Sequence, residues 1–152
     1  MIPQEIQEKI RSVIQEKGCK LTSQRSAVLK AFFEKNYEHM TVEEVHYFSK
    51  SYCSKIGIAT VYRCILSFEK IGVLRKIETN EKYGRYELVI PDEKFEHPHL
   101  VCVKCGKIIG AFDSEILKEL DKQKKFIENI YDFKINSQSN IYYGICEACK
   151  DA

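Results

Sequence analysis

The segment His97-Pro98-His99-Leu100-Val101-Cys102-Val103-Lys104-Cys105 is the stretch on which the reading of this chain turns. Cys102 and Cys105 form a Cys-x-x-Cys pair, and a second pair, Cys146-x-x-Cys149, follows near the end of the sequence. Two intervening residues let both thiolates of a pair turn inward onto one ion. Two such pairs therefore complete a tetrahedral four-thiolate site of the kind that holds structural Zn²⁺. Two disulfides or four unrelated thiols are the competing readings. Redox Cys-x-x-Cys motifs usually occur singly beside a βαβ pattern, which this chain lacks.

His97 and His99 are a separate matter. In an extended segment residues i and i+2 point to the same side, and Pro98 favours extended backbone while removing one donor. The two imidazoles can share an ion that is not the cysteine-bound one. Two surface histidines would have the same appearance, and the residues alone leave both readings open.

Downstream of this segment the pattern gives strands at 100–103 and 107–112, a helix over 114–128, and strands at 131–135 and 141–145. The helix carries Ile116, Leu117, Leu120 and Phe126 as apolar positions. So small an α+β unit has few large apolar residues. It is expected to need its zinc to fold and a partner subunit to cover its sheet.

Upstream, residues 90–96 are polar, include Pro91, Asp92 and Glu93, and read as a hinge. Before them the periodicity is helical in four places. Residues 4–17 place Ile6, Ile10, Val13 and Ile14 on one face, and Gly18 ends the run. Thr22 or Ser23 caps a helix through Glu34. Thr41-Val-Glu-Glu44 has the capping-box form and starts a third, with Val42, Val45, Phe48 and Tyr52 as inward candidates. Gly57 can cap a fourth over 58–71, whose apolar face runs Val61, Ile65, Phe68 and Ile71. Strands at 73–78 and 85–89, joined by a turn at 79–84, make a hairpin.

Short helices, the last turning tightly into the next, followed by a hairpin, describe a winged helix-turn-helix with the fourth helix as the recognition helix. Its outward positions include Thr60, Tyr62 and Arg63, side chains able to contact phosphates, guanine edges or thymine methyls. A four-helix core domain with an exposed Tyr-Arg pair fits the same periodicity. The charge distribution points mildly toward nucleic acid: residues 1–90 carry 15 Lys/Arg against 11 Asp/Glu, and residues 91–152 carry 9 against 11.

Composition narrows the class. The 152 residues are 44% hydrophobic and 30% charged, ordinary for a globular protein of one domain or two small ones. No apolar run approaches the roughly 20 residues of a membrane span. The opening Met1-Ile2-Pro3-Gln4-Glu5 holds no apolar signal core, so a cytoplasmic protein is expected. In a reducing compartment seven cysteines fit metal binding plus free thiols at Cys19, Cys53 and Cys64 better than a disulfide framework.

Taken together and in order, Leu21-Thr-Ser-Gln-Arg25, Ile58-Ala-Thr-Val-Tyr-Arg63, Tyr86-Glu-Leu88, the segment from His97 to Gly106, and Tyr143-Gly-Ile-Cys146 resemble the ferric uptake regulator family over nearly the whole chain. The resemblance implies a homodimeric, metal-dependent transcriptional repressor that binds double-stranded operator DNA, with no membrane and no small organic substrate as partner. It implies an α+β protein with a winged-helix DNA-binding domain at 1–90, a hinge at 91–96, and a small α/β dimerisation and metal-binding domain with the Cys₄ zinc site at 97–152. It further implies an interdomain regulatory metal held by His39, Glu87, His97 and His99. Such an N/O donor set suits Fe²⁺, Mn²⁺ or Zn²⁺.

Three features depart from the family pattern. Gly110 stands where many relatives carry a further acidic ligand; Asp113 and Glu96 are the nearby candidates to replace it. The residues matching another metal site of some members are Glu96, Pro98, Leu117 and Gln138, three of which are poor ligands. Glu87 stands where the peroxide-sensing subgroup often has Asp. Iron-type uptake regulation is thus the leading expectation. A peroxide, zinc or manganese sensor of the same family is the alternative, and a zinc-dependent hydrolase is the reading from another class.

Overall fold

The structure, a computed structural model, describes residues 1–35, 38–78, 84–92 and 97–151 of the chain. It divides into two compact units, Met1–Asp92 and Glu93–Ala152.

The first unit opens with four helices, α1 (Gln4–Glu16), α2 (Ser23–Glu34), α3 (Val42–Ser49) and α4 (Ile58–Lys70). Local chemistry sets their starts. The Thr22 hydroxyl accepts from the Arg25 N–H, which satisfies one of the donors that a helix start leaves orphaned. Thr41 and Glu44 form a reciprocal capping box: the Thr41 N–H donates to Glu44 Oε2 at 2.8 Å and the Glu44 N–H to Thr41 Oγ1 at 3.2 Å. His46 Nε2 donates to the Ile56 carbonyl at 3.0 Å, which ties α3 to the turn leading into α4.

Strands β1 (Leu74–Ile77) and β2 (Arg85–Leu88) pair antiparallel with Arg75 opposite Glu87 and Lys76 opposite Tyr86. The turn expected at 79–84 lies, for 79–83, outside the described residues. Met40 forms an isolated antiparallel bridge with Tyr86, so the residue entering α3 becomes a neighbour of the wing.

Ile10, Ile14, Val28, Phe32, Val45, Val61, Ile65, Phe68, Leu74 and Leu88 form one buried cluster at the centre of this unit. Ile10, Ile14, Val45, Val61, Ile65 and Phe68 are positions that the helical periodicity singles out, while Leu74 and Leu88 come from the hairpin strands. Tyr52 is a correction: it is 41% exposed and donates to Glu34 Oε2 at 2.8 Å rather than packing inward.

The second unit contains β3 (His99–Cys102), β4 (Ile108–Gly110), α5 (Ser114–Tyr131), β5 (Ile141–Gly144) and α6 (Glu147–Lys150). The sheet order is β4-β3-β5, with β3 antiparallel to β4 and parallel to β5. One sequence expectation fails here. The strand at 131–135 is absent: α5 runs on to Tyr131 and ends at Asp132 in the left-handed region (φ 47°). The alternating Tyr131, Phe133 and Ile135 mimic a strand, yet β3 already has a neighbour on each side, and Tyr131 and Phe133 are exposed. The apolar positions of α5 are not buried either; Ile116 and Phe126 are 44% and 66% exposed, and no residue of the helix is buried. α6 is too short for periodicity to register. Of the hinge expected at 91–96, residues 93–96 lie outside the described residues.

Candidate metal centres and nucleic-acid face

Sheet register assembles the four-cysteine cluster. β3 ends at Cys102, and a tight turn closes from the Gly106 N–H to the Cys102 carbonyl. Gly106 has a φ of 72°, a conformation that favours glycine, and the turn carries Cys105 back beside Cys102. Parallel pairing sets Cys102 opposite Gly144, which delivers the following Cys146 to the same turn, and α6 adds Cys149. The four sulphurs lie within 4.8 Å of one another. The Cys146 N–H reaches Cys102 Sγ at 3.4 Å, and Cys105 and Cys146 Sγ are 3.7 Å apart.

The electrostatics of this cluster are divided. Backbone N–H groups of Cys146 and Cys105 hold the Cys102 thiol down to about 6. Hydrogen bonds with the Cys146 and Cys105 thiols push Cys149 up to about 12. Four crowded sulphurs cannot all ionise without a cation among them, and a divalent ion of thiolate preference fits the donor set. All seven cysteines are free thiols in the structure.

In the first unit, the Met40–Tyr86 bridge brings His39 alongside Glu87. His39 Nε2 lies 2.7 Å from Glu87 Oε2, and both side chains are almost wholly buried. Glu87 Oε1 belongs to Arg75, its cross-strand partner, whose Nε and Nη2 donate to it at 3.0 and 2.5 Å. A buried carboxylate is thus divided between a cation on one oxygen and an imidazole on the other. Arg85 braces the same corner by donating to the His39 carbonyl and to Glu44 Oε2, both at 3.1 Å.

In the second unit, His97 and His99 project together, with ring centroids 4.5 Å apart, and both are 4% exposed. The reading of two surface histidines is therefore set aside. Phe112 lies over His97 at 3.9 Å with an interplanar angle of 31°. Asp113, one candidate to stand in for an acid at position 110, is otherwise engaged: it caps α5 by accepting from the Glu115 and Ile116 N–H groups at 2.9 and 3.2 Å. Glu96 lies outside the described residues.

On α4 the buried face is Val61, Cys64, Ile65 and Phe68. Tyr62 and Arg63 are exposed and Thr60 is half-buried, with Arg63 Nη2 folded back to donate to Thr60 Oγ1 at 3.2 Å.

Residues 16–143 match the ferric uptake regulator family. The chain belongs to that family. It is 30% identical over 142 residues to the ferric uptake regulation protein of Bacillus subtilis, covering 93% of each chain. It is 25% identical to the peroxide-responsive repressor PerR of Staphylococcus epidermidis, over 99% of this chain and 93% of that one. Among solved structures, the ferric uptake regulator of Helicobacter pylori, described as having three functional metal binding sites, superposes with a TM-score of 0.77. That match has 27% identity and covers 98% and 94% of the two chains. Membership in the ferric uptake regulator family makes the chain a metal-responsive regulator. No described helix is long and apolar enough to cross a membrane.

Sequence reasoning missed Arg75 and Phe112. The strand register that sets Arg75 opposite Glu87 could have revealed the first. The second depends on a ring position that no spacing encodes.

Proposed function

We propose that this protein is a homodimeric, metal-responsive repressor that binds operator DNA in the cytoplasm, and that it is of the iron-uptake type. The observation that carries the reading is a pair of prepared ligand sets, one on each side of the segment 93–96: His39 with Glu87, and His97 with His99. Each set is too small to hold an ion firmly; joined, they supply three imidazoles and a carboxylate, a donor set for Fe²⁺, Mn²⁺ or Zn²⁺. Cys102, Cys105, Cys146 and Cys149 hold a separate structural Zn²⁺.

In this reading the regulatory ion, when bound, supplies a crosslink between the units. The protein's residues do the rest. Glu87 lies on the wing and His39 beside it at the entry to α3, so their engagement orients the whole helix-turn-helix. The orientation that brings them to His97 and His99 is the one in which two copies of α4 meet successive major grooves of a palindromic site. Tyr62 and Arg63 then reach base edges or phosphates, and Thr60 steadies Arg63. Metal favours that state by its differential affinity for it. The exposed apolar stripe of α5 is the surface through which the dimer forms.

The test is metal analysis of protein purified anaerobically, together with operator binding across Fe²⁺, Mn²⁺ and Zn²⁺. One zinc per chain that resists dialysis, plus Fe²⁺-dependent operator binding, is the expected result. Binding that ignores all three ions contradicts the proposal. The likeness to a peroxide-responsive repressor supports a second reading, in which His97 and His99 would hold Fe²⁺ and would themselves be oxidised, with peroxide as the oxidant. An added oxygen on a His97 or His99 peptide after peroxide treatment of the Fe²⁺ form distinguishes the two. The hydrolase reading finds no support in a site whose carboxylate is already divided between Arg75 and His39.

A further inference from the structure

Two features beside the regulatory ligands act on the number of donors they can offer. The first is Arg75. Two of its nitrogens, Nε and Nη2, converge on the same oxygen of Glu87, Oε1. The pairing is built into the strands, because Arg75 and Glu87 are register partners in β1 and β2. A carboxylate so held offers an ion one oxygen, Oε2, the atom that already faces His39. Glu87 is 2% exposed, so water does not compete for the held oxygen and the grip is not loosened by solvent.

The second feature lies in the other unit. Gly110 is the register partner of His99, and a Cβ built at Gly110 would lie 3.1 Å from Nε2 of His97. Position 110 is therefore a place from which a further side chain would reach the donor nitrogen. Glycine offers none, and Phe112 fills the space: its Cε2 would stand 2.7 Å from that Cβ. The same ring stacks on His97 and fixes the plane of the imidazole.

We infer that Arg75 and Phe112 are positioning residues that limit the coordination number of the regulatory site, so that it selects against ions needing more oxygen donors. The inference rests on the proposal that His39, Glu87, His97 and His99 share one ion. Four protein atoms with a one-oxygen carboxylate satisfy Zn²⁺ or Co²⁺, which accept four-coordinate geometry. Mn²⁺ favours octahedral, oxygen-rich surroundings and loses most from a carboxylate held to one oxygen and a neighbouring position filled by an apolar ring. The limit is imposed from both units by unrelated means, a guanidinium on one side and a phenyl ring on the other.

The experiment uses full-length protein with zinc already on the four cysteines, titrated with Co²⁺ and, separately, Mn²⁺. Co²⁺ in a four-coordinate site absorbs visible light far more strongly than in a six-coordinate one, so absorbance reports donor number independently of DNA binding. Wild type is expected to give intense bands. Arg75→Gln frees the second oxygen of Glu87, and Phe112→Ala opens the space beside His97 to water. Each should weaken the bands and tighten Mn²⁺ binding by about tenfold, the lower end of what partners of metal ligands are worth. Arg75→Lys keeps the positive charge without the two-nitrogen grip, so it should move the spectrum in the same direction as Arg75→Gln. Should Arg75→Gln fail to fold, Phe112→Ala, remote from the Glu87 pair in sequence and in a different unit, still decides.

Weak, six-coordinate bands in wild type would overturn the inference, as would spectra and Mn²⁺ affinities unchanged in both Phe112→Ala and Arg75→Lys. His99→Ala separates this failure from that of the underlying site. If it binds Co²⁺ as wild type does, the shared site itself is wrong. If it loses Co²⁺ while the Arg75 and Phe112 variants change nothing, only the coordination limit falls.

Discussion

The two units solve the problem of staying folded in different ways. The first buries Phe32, Phe68, Ile10, Ile14, Val28 and Ile65 in one continuous cluster. In the second, Val101 and Cys102 are the buried hydrophobics among the described residues, while Ile127, Ile130 and Phe133 on or beside α5, and Leu100, Ile109 and Tyr142 on the sheet, remain exposed. A core of that size does not offset the conformational entropy of ordering about sixty residues. The contrast teaches that the first unit is stabilised by its own packing, while under the proposed function the second depends on what it would bind: an ion in the cysteine cluster and a second copy against α5. If the proposed function holds, a regulator benefits from this division, because the first unit would keep its shape whether or not metal is present.

The strongest way to break the comparison is to remove the zinc. Cys102→Ser should unfold the second unit and abolish the dimer, since structural zinc contributes on the order of 10 kcal/mol of folding free energy. Helical circular dichroism from the first unit should survive, and protease should cut only beyond residue 92. A well-folded, dimeric, zinc-free Cys102→Ser protein contradicts the contrast outright. The converse is Phe68→Ala, which should cost the first unit about 3–5 kcal/mol. Because that unit rests on its own core, the loss measured by denaturant unfolding should be the same with and without chelator. A zinc-dependent loss would show that the cores are not independent.

A smaller effect tests the uncovered helix. Ile130 is 58% exposed in the single chain. Burying such a side chain at an interface is worth about 1.5–3 kcal/mol per copy, so Ile130→Asp should weaken dimerisation in sedimentation experiments without changing zinc content. An undiminished dimer would move the interface elsewhere. Smaller still is Arg63→Ala, which should cost about 1–3 kcal/mol of operator affinity if the side chain reads a base edge. If it contacts phosphate, binding should weaken evenly across sequences and the salt slope should fall by about 1. Unchanged affinity in a titration removes α4 from the groove.

How much of this was legible in the sequence follows the same divide. In the first unit, burial and periodicity agree because each helix has an inside and an outside: Thr41 and Glu44 cap α3 as the spacing implies, and Val61, Ile65 and Phe68 face inward. In the second unit, apolar residues do not mark a core, so patterning misleads. Tyr131, Phe133 and Ile135 alternate like a strand but lie at and beyond the end of a helix. The cysteine cluster was readable because its spacing is a local geometric requirement. Pairing His39 with Glu87 rested on family resemblance, since the Met40–Tyr86 bridge that makes them neighbours spans residues far apart in the chain. Arg75 was visible only once β1 and β2 were in register.

The central claim is that ligands from both units share one ion whose occupancy governs operator binding. The most direct measurement is operator affinity of zinc-loaded His99→Ala beside wild type, each with and without Fe²⁺ under anaerobic conditions. The variant should keep its zinc, its fold and its dimer but bind operator equally weakly in both conditions, while wild type should tighten with Fe²⁺. Wild-type operator affinity in His99→Ala, still dependent on Fe²⁺, would contradict it.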